Sequence, residues 1–409
     1  MDHAKIAGIA DWIVRRGLAG DDETSLLQGF CTRCVDAGLG ISDGTAIIDT
    51  LHPVYEGRVF FWSGDNPLDA RVTEYEPTAA SGNEESWRRS PFYHLLQSGD
   101  DELRCRIELG ETGGFPILEE LTQKGQTDYF AMIQRFNREA AIGEMDCFMS
   151  RWSTSRAGGF SNADLDALRR LAPALGLAIK STSLARVAES LVEAYLGRDA
   201  GRRVLQGRMS RGVVEKINAV LWFSDMQGYT ALSESIASDQ LIPLLDDYAE
   251  AVISAVHGAG GDVLKLIGDG TLAIFTADDP EEACRSALRA EADLRLRLVD
   301  LNRRREAEGT PTTSIYLGLH IGDVFYGNIG SKDRLDFTVV GQAVNEVSRI
   351  ASMCSSADRY VLFSAAFRES LPEAEGAKLV SVGRYALRGV GRAQELFTLD
   401  PELAIFPLP

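Results

Sequence analysis

Ile6, Ile9, Trp12 and Ile13 recur at helical spacing near the start of the chain, and Leu26, Leu27, Phe30 and Cys34 continue the stripe. One or two amphipathic helices are predicted over residues 1–38. The period then shortens to that of strands, in TAIIDTL from Thr45, RVFFW from Arg58 and VTEY from Val72. SPFYHLLQSG reads as a helix, with Ser90 suited to the N-cap and Pro91 to the first helical position. ELRCRIEL, TDYFAMIQRF from Thr127 and EMDCFMSRWS from Glu144 are further strands, with the helix FPILEELTQKG between the first two. The order predicts an α+β domain rather than a repeating βαβ array.

A long helix opens at SNADLDALRRL, where Ser161 and Asp164 form a capping-box pattern and Leu165, Leu168, Ala172, Leu175 and Ile179 form an apolar stripe, kinked at Pro173. Leu177, Leu184 and Leu191 then recur every seventh residue. That spacing suits a parallel coiled coil with a second copy of the chain, and equally a helix folded back on its own domain. The basic stretch LGRDAGRRVLQGRMSRG leads into a second domain, with the boundary near Arg211. The expected division is therefore a first domain over 1–183, a helical linker over 184–211 and a second domain over 212–409. In the second half the pattern predicts a buried strand AVLWFSD, a helix from Leu232 to His257 and the hairpin DVLKLIGDGTLAIF. After these come a helix from Pro280 to Arg305, the hairpin TSIYLGLHIGDVFYGNIG, the strand LDFTVV and the helix AVNEVSRIASM.

Composition narrows the classes. The 409 residues are 45% hydrophobic and 25% charged, the balance of a folded globular protein. Lys and Arg number 42 against 60 Asp and Glu, a net charge of -18, which disfavours nucleic acid or an anionic membrane as a general partner. No segment reaches the length of a membrane span and the amino-terminal segment does not read as a leader, so a cytoplasmic location is expected. Six scattered cysteines make no disulfide framework, and the Cys31-x-x-Cys34 pair sits in an apolar helical pattern as core residues do. His52, before a Pro, reads as a turn residue ahead of a haem or metal ligand.

Chemistry gathers in the second half. Asp225 ends the apolar run from Ala219, where a lone acid would ordinarily cap the next helix. Asp269 lies in the Gly268-Asp269-Gly270 turn, itself a commonplace position. Two acids at adjacent strand tips can instead clamp two divalent ions about 4 Å apart. Lys265 is a charge within the apolar run VLKLI and wants a specific partner. Asn345 and Arg349, four apart, share one helix face just past Gly341, where they can meet a sugar oxygen and a phosphoryl group. Arg388, near a turn, is a weaker phosphate candidate. Gly260-Gly261-Asp262 matches the GGD string of diguanylate cyclases, but Val263 and Leu264 follow in place of that signature's acidic-aromatic ending.

FSDMQGYT, LKLIGDGTLAIF and DFTVVGQAVNEVSRI together resemble the class III adenylyl and guanylyl cyclase catalytic domain in order, spacing and residue type, over about residues 214–400. The resemblance implies a ferredoxin-like, palm-type fold and a homodimer whose metal ligands and nucleotide ligands come from opposite protomers. It implies two Mg or Mn ions on Asp225 and Asp269, base selection by Lys265 and Thr338, transition-state contacts from Asn345 and Arg349, and a late phosphate contact nearest to Arg388, where the family has Lys. Lys265 with Thr338 resembles the ATP-selecting pair. A donor-only Lys suits adenine N1, while the Thr hydroxyl accepts from the exocyclic amine. The alternatives are a guanylyl cyclase and a silent nucleotide-binding regulatory module. SRWSTSRAGGFSNADLDALRRLAPALGLAIK resembles the end of a GAF domain, which implies a sensor for an unidentified small-molecule or protein regulator.

Overall fold

A computed structural model describes residues 2–400 except 69, 77–81, 83, 138, 140, 141, 144, 209, 211 and 213. The chain divides into two compact units, Met1–Leu191 and Val192–Pro409, and the expected boundary residue Arg211 lies outside the described residues.

The first unit contains α1 (His3–Ala19), α2 (Glu23–Asp36), β1 (Asp43–Asp49), β2 (Gly57–Ser63), β3 (Arg71–Tyr75), α3 (Glu84–Arg88) and α4 (Pro91–Ser98). β4 (Glu102–Cys105), α5 (Pro116–Gln123), β5 (Asp128–Arg135), β6 (Cys147–Thr154) and the long α6 (Asn162–Leu196), whose last turn continues into the second unit, follow. The strands make one antiparallel sheet in the order β3-β2-β1-β6-β5-β4. α1, α2 and α6 bury Ile13, Leu27, Phe30, Leu168 and Leu175 with Trp152 of one sheet face. α4 and α5 bury Phe92, Leu95, Leu118 and Leu121 against the other, with Tyr129 and Met149. The expected caps form: Ser90 Oγ accepts from Tyr93 N–H at 3.1 Å, and Ser161 Oγ accepts from Asp164 N–H at 3.2 Å while Asp164 Oδ2 accepts from Ser161 N–H at 3.0 Å. α6 runs through Pro173 without a break. Of its heptad leucines, Leu184 and Leu191 pack against the core of the first unit, while Leu177 is 69% exposed. ELRCRIEL is a strand only to Cys105, and a 3-10 turn takes Ile107–Leu109.

The second unit contains α7 (Arg198–Leu205), β7 (Val214–Met226), α8 (Tyr229–Ser235), α9 (Ser238–Gly258), β8 (Asp262–Ile267), β9 (Gly270–Phe275) and α10 (Pro280–Ala307). Then come β10 (Ile315–Gly330), β11 (Leu335–Val340), α11 (Gln342–Ser352), α12 (Cys354–Ala357), β12 (Val361–Ser364), α13 (Ala365–Glu369), α14 (Glu373–Gly376), β13 (Leu379–Tyr385) and β14 (Gln394–Leu399). The sheet order is β13-β14-β12-β10-β7-β9-β8, with β11 paired to β10. α9 and α10 cover one face, burying Leu244, Val252, Ala287 and Leu294 with Trp222 and Phe275. α7 and α11 supply Ala200, Ala343 and Val347 to the other face, over Leu221, Ile274 and Val324.

Two expectations need correction. The segment 313–330 is not a hairpin: β10 is one strand of 16 residues that runs straight through Gly322-Asp323 and turns only after Gly330, into β11. The predicted helix from Leu232 to His257 is two helices, because Ile236 and Ala237 adopt extended backbone between α8 and α9. Among the described residues no helix is long and apolar enough to cross a membrane. All six cysteines are free and buried, and burial pushes the Cys34 thiol up to about 12, which fits core packing rather than reactivity. His52 stacks on Tyr55 at 3.9 Å and its Nδ1 accepts from Val54 N–H at 3.1 Å, as a turn residue does.

Candidate functional site

β7 is a central strand, paired on one side with β9 and on the other with β10, so its end is held rigidly. Asp225 lies at that end, half-buried. The β8–β9 turn reaches it because Gly268 adopts a left-handed φ of 64° and Gly270 approaches closely; a Cβ there would stand 3.2 Å from Ser224 O. The turn thereby sets Asp269 beside β7, where its Oδ2 accepts from Met226 N–H at 3.1 Å. Both carboxylates line a cavity of about 210 Å³ with Met226, Leu245, Tyr248 and Thr271.

Burial, and then the charge of Asp269, push the Asp225 carboxyl up to about 6, and its buried Oδ1 has no hydrogen-bond partner. Two crowded acids, one with an orphaned oxygen, are what a cation would relieve. Among the described residues no group of three or more His, Cys, Asp or Glu is placed to hold a metal ion. The donor set is thus a carboxylate pair, which suits an ion such as Mg that takes one or two protein carboxylates and completes its shell with water and substrate phosphate.

Lys265 lies on β8, the edge strand beyond β9, just after a bulge at Leu264. The edge explains how a charge is accommodated between apolar neighbours, and Leu266 and Ile267 beyond it are themselves exposed. Its partner is Asp336 of β11, to which the Lys265 ammonium donates. Thr338 follows Asp336 by two residues and so shares its side of the strand. Lys265 and Asp336 thus form a pair, with Thr338 on the same side of β11. Asp336 was missed in the sequence, because its pairing with Lys265 joins strands 71 residues apart.

Asn345 and Arg349 both stand on the exposed face of α11, while Ala343, Glu346, Val347 and Ile350 are buried beneath. Arg388 is exposed in the β13–β14 connection, beside Gly389 with its left-handed φ of 79°. None of these three side chains has a hydrogen-bond or ion-pair partner among the described residues, and none lines the cavity of the carboxylates. One chain thus holds a carboxylate end, the pair of Lys265 and Asp336, and a separate polar helix face.

Residues 213–400 match the family described as the Adenylate and Guanylate cyclase catalytic domain. The chain is 31% identical to an adenylate cyclase of Anabaena cylindrica over 175 residues, which are 41% of this chain and 34% of that protein. It is 30% identical to adenylate cyclase 1 of Rhizobium meliloti over 149 residues, 35% of this chain and 22% of that one. The match therefore spans about a third and about a fifth of the length of these relatives. Among solved structures, an adenylyl cyclase from P. aeruginosa aligns with a TM-score of 0.42 at 22% identity, covering 46% of this chain and 96% of its own.

Proposed function

From the premise that residues 213–400 are a class III cyclase catalytic domain, we propose that the protein is an adenylyl cyclase that converts ATP to 3',5'-cyclic AMP and pyrophosphate. The observation that carries the reading is the pair Asp225 and Asp269 at adjacent strand ends, one of them crowded and with an orphaned oxygen, in the unit that also sets Lys265 against Asp336. Asp225 and Asp269 would hold two divalent ions, Mg or Mn. When bound, these supply a lowered pKa for the ribose 3'-hydroxyl and a counter-charge for the triphosphate. The new bond joins the 3'-oxygen to the α-phosphorus as the bond to the α-β bridging oxygen breaks; the hydroxyl proton passes to solvent and pyrophosphate leaves.

The residues of the chain position this exchange. Lys265, aimed by Asp336, donates to adenine N1, and the Thr338 hydroxyl accepts from the exocyclic amine; guanine would present donors to the same ammonium. Asn345 orients the ribose, and Arg349 neutralises charge developing on the α-phosphoryl oxygens. Arg388 meets the phosphates. The exposed, unpartnered state of Asn345 and Arg349 supports an arrangement in which the helix face of one protomer completes the carboxylate end of a second copy, giving a homodimer with two shared sites. The six-stranded antiparallel sheet of the first unit, with helices on both faces, supports a GAF-like regulatory domain. A cavity of about 480 Å³ under α3 and α4, lined by Ile47, Val59, Trp87 and Met149, gives its small-molecule regulator a place to bind.

The test is nucleotide turnover by the purified chain with ATP and with GTP, each with Mg or Mn. Cyclic AMP and pyrophosphate from ATP are expected. A preference for GTP overturns the base assignment, and nucleotide binding without turnover under either metal leaves a silent binding module.

A further inference from the structure

The helix that carries Asn345 and Arg349 rests on a strand face that two glycines lower. A Cβ on Gly318 of β10 would stand 2.6 Å from Ala351 N and 2.7 Å from Val347 O, and one on Gly322 would stand 2.9 Å from Ala343 Cβ. These glycines lie four apart on one side of the strand, so α11 presses its backbone onto a flat track. The helix side chains that meet the sheet, Ala343, Val347, Ile350 and Ala351, are small or apolar and nondirectional. Apolar packing on a flat track leaves the rotation and height of a helix weakly specified.

His320 projects between the two glycines, on the same side of β10. It is 7% exposed, and its Nε2 lies 3.4 Å from Glu346 Oε2. Glu346 is 8% exposed on the under-face of α11; its Oε1 accepts from Gln342 Nε2 at 2.9 Å and its Oε2 from Gln394 Nε2 of β14 at 3.4 Å. On the other side of the ring, Nδ1 lies 2.8 Å from Ser364 Oγ, which accepts from Phe367 N–H at 3.1 Å as the cap of α13. The neutral tautomer that fits these neighbours has Nε2–H facing Glu346 Oε2 across 3.4 Å and Nδ1 accepting the Ser364 hydroxyl proton. Burial holds the imidazole below its ordinary pKa of 6.5 against the opposing pull of Glu346, which favours this neutral form. A slip of α11 by one residue, 1.5 Å and 100°, would leave a carboxylate and an imidazole buried and unmatched.

We propose that His320 and Glu346 are positioning residues that fix the rotation and height of α11 on β10, and thereby aim Asn345 and Arg349. Glu346 directly follows Asn345 and stands three residues before Arg349, so pinning its side chain sets the direction of both. The proposal rests on the reading of Asn345 and Arg349 as the residues that contact ribose and phosphate.

The experiment measures melting temperature, kcat and KM for ATP in the full chain for E346Q, E346L, the double variant H320L/E346L, N345A and R349A. E346Q keeps an acceptor for Nε2–H and is expected to stay within about threefold of wild-type kcat, because the link survives. E346L is expected to lose about tenfold or more in kcat with KM little changed, because the base contacts from Lys265 and Thr338 are untouched while the transition-state contacts are misaimed. In the double variant both buried polar groups are gone, so stability should recover to wild type or above while kcat stays low. That split separates aiming from mere burial, and the double variant also serves if E346L does not fold. A kcat that returns together with stability in the double variant, or a folded E346L with wild-type kcat, overturns the pin. N345A and R349A should each lower kcat. If they do so and E346L does not, the pin alone fails; if neither lowers kcat, the helix-face reading fails and the proposal falls with it.

Discussion

Asp225 and Asp269 are the residues on which turnover should depend most steeply. Removing either carboxylate takes away half of the donor set, so D225A or D269A is expected to abolish cyclic nucleotide formation while the circular dichroism spectrum stays that of the folded chain. Lys265 carries a different consequence. Because its ammonium meets Asp336, replacing it by Glu alone would set two carboxylates against each other, so a change of base preference needs both ends altered. K265E/D336N/T338C is expected to shift the ratio of kcat/KM values from ATP toward GTP, read by product analysis in mixed nucleotides, and to do so more than K265E alone. His320 gives a pH signature. Its folded pKa is held below 6.5, so the unfolded state binds more protons, and its contribution to stability is present above about pH 6.5 and lost as the pH falls toward the folded value. His257, lowered by burial and Arg198, acts in the same direction, whereas Asp225, raised to about 6, acts in the opposite one. The difference between H320Q and wild type is therefore the quantity to measure: thermal melts should show the relative stability of the variant rising as the pH drops below about 6.5.

At the scale of elements, close approach decides more than conformation does. A methyl at Gly318 has backbone atoms of α11 within 2.7 Å, so α11 must move; G318A is expected to cost about 1–3 kcal/mol by denaturant unfolding and to lower kcat as well. Gly8, exposed within α1 with nothing within 4 Å of a built Cβ, should respond oppositely, G8A stabilising by roughly 0.5–1 kcal/mol. The same contrast explains what sequence could and could not tell. Periodicity located most helices and strands, and the Ser90 and Ser161 caps, because those signals are local. The segment 313–330 was misread as a hairpin because a glycine in a strand pattern signals flexibility as readily as contact, and only the approach of Ala343 to Gly322, some twenty residues later, reveals which. Glu346 was invisible as a buried group for a related reason: on the helix pattern it sits beside Asn345 as one more polar residue, and its burial depends on His320 across the sheet.

For the whole molecule, the shared-site homodimer makes a quantitative statement. If the carboxylates of one protomer work with the α11 face of the other, mixing D225A with N345A gives heterodimers in which one site holds both lesions and the other none. Random pairing then returns about a quarter of wild-type activity. K265A mixed with N345A should not complement, since those two residues would come to each site from the same chain. Rescue in both mixtures, or in neither despite confirmed subunit exchange, argues against the shared site. The residue types of this site were legible in the sequence because they stand in three compact motifs; the partner of Lys265 was not, because it depends on which strand edge β11 approaches. One more consequence follows from β10. It pairs along nearly all of β7, yet lies about a hundred residues further along the chain, so during synthesis β7 first zips to β9 and waits with its other edge bare. That edge runs past Ala219, Val220, Leu221 and Trp222, all fully buried once the sheet is complete. The interval before β10 leaves the ribosome is therefore one in which an apolar central strand is on offer to any neighbouring nascent chain.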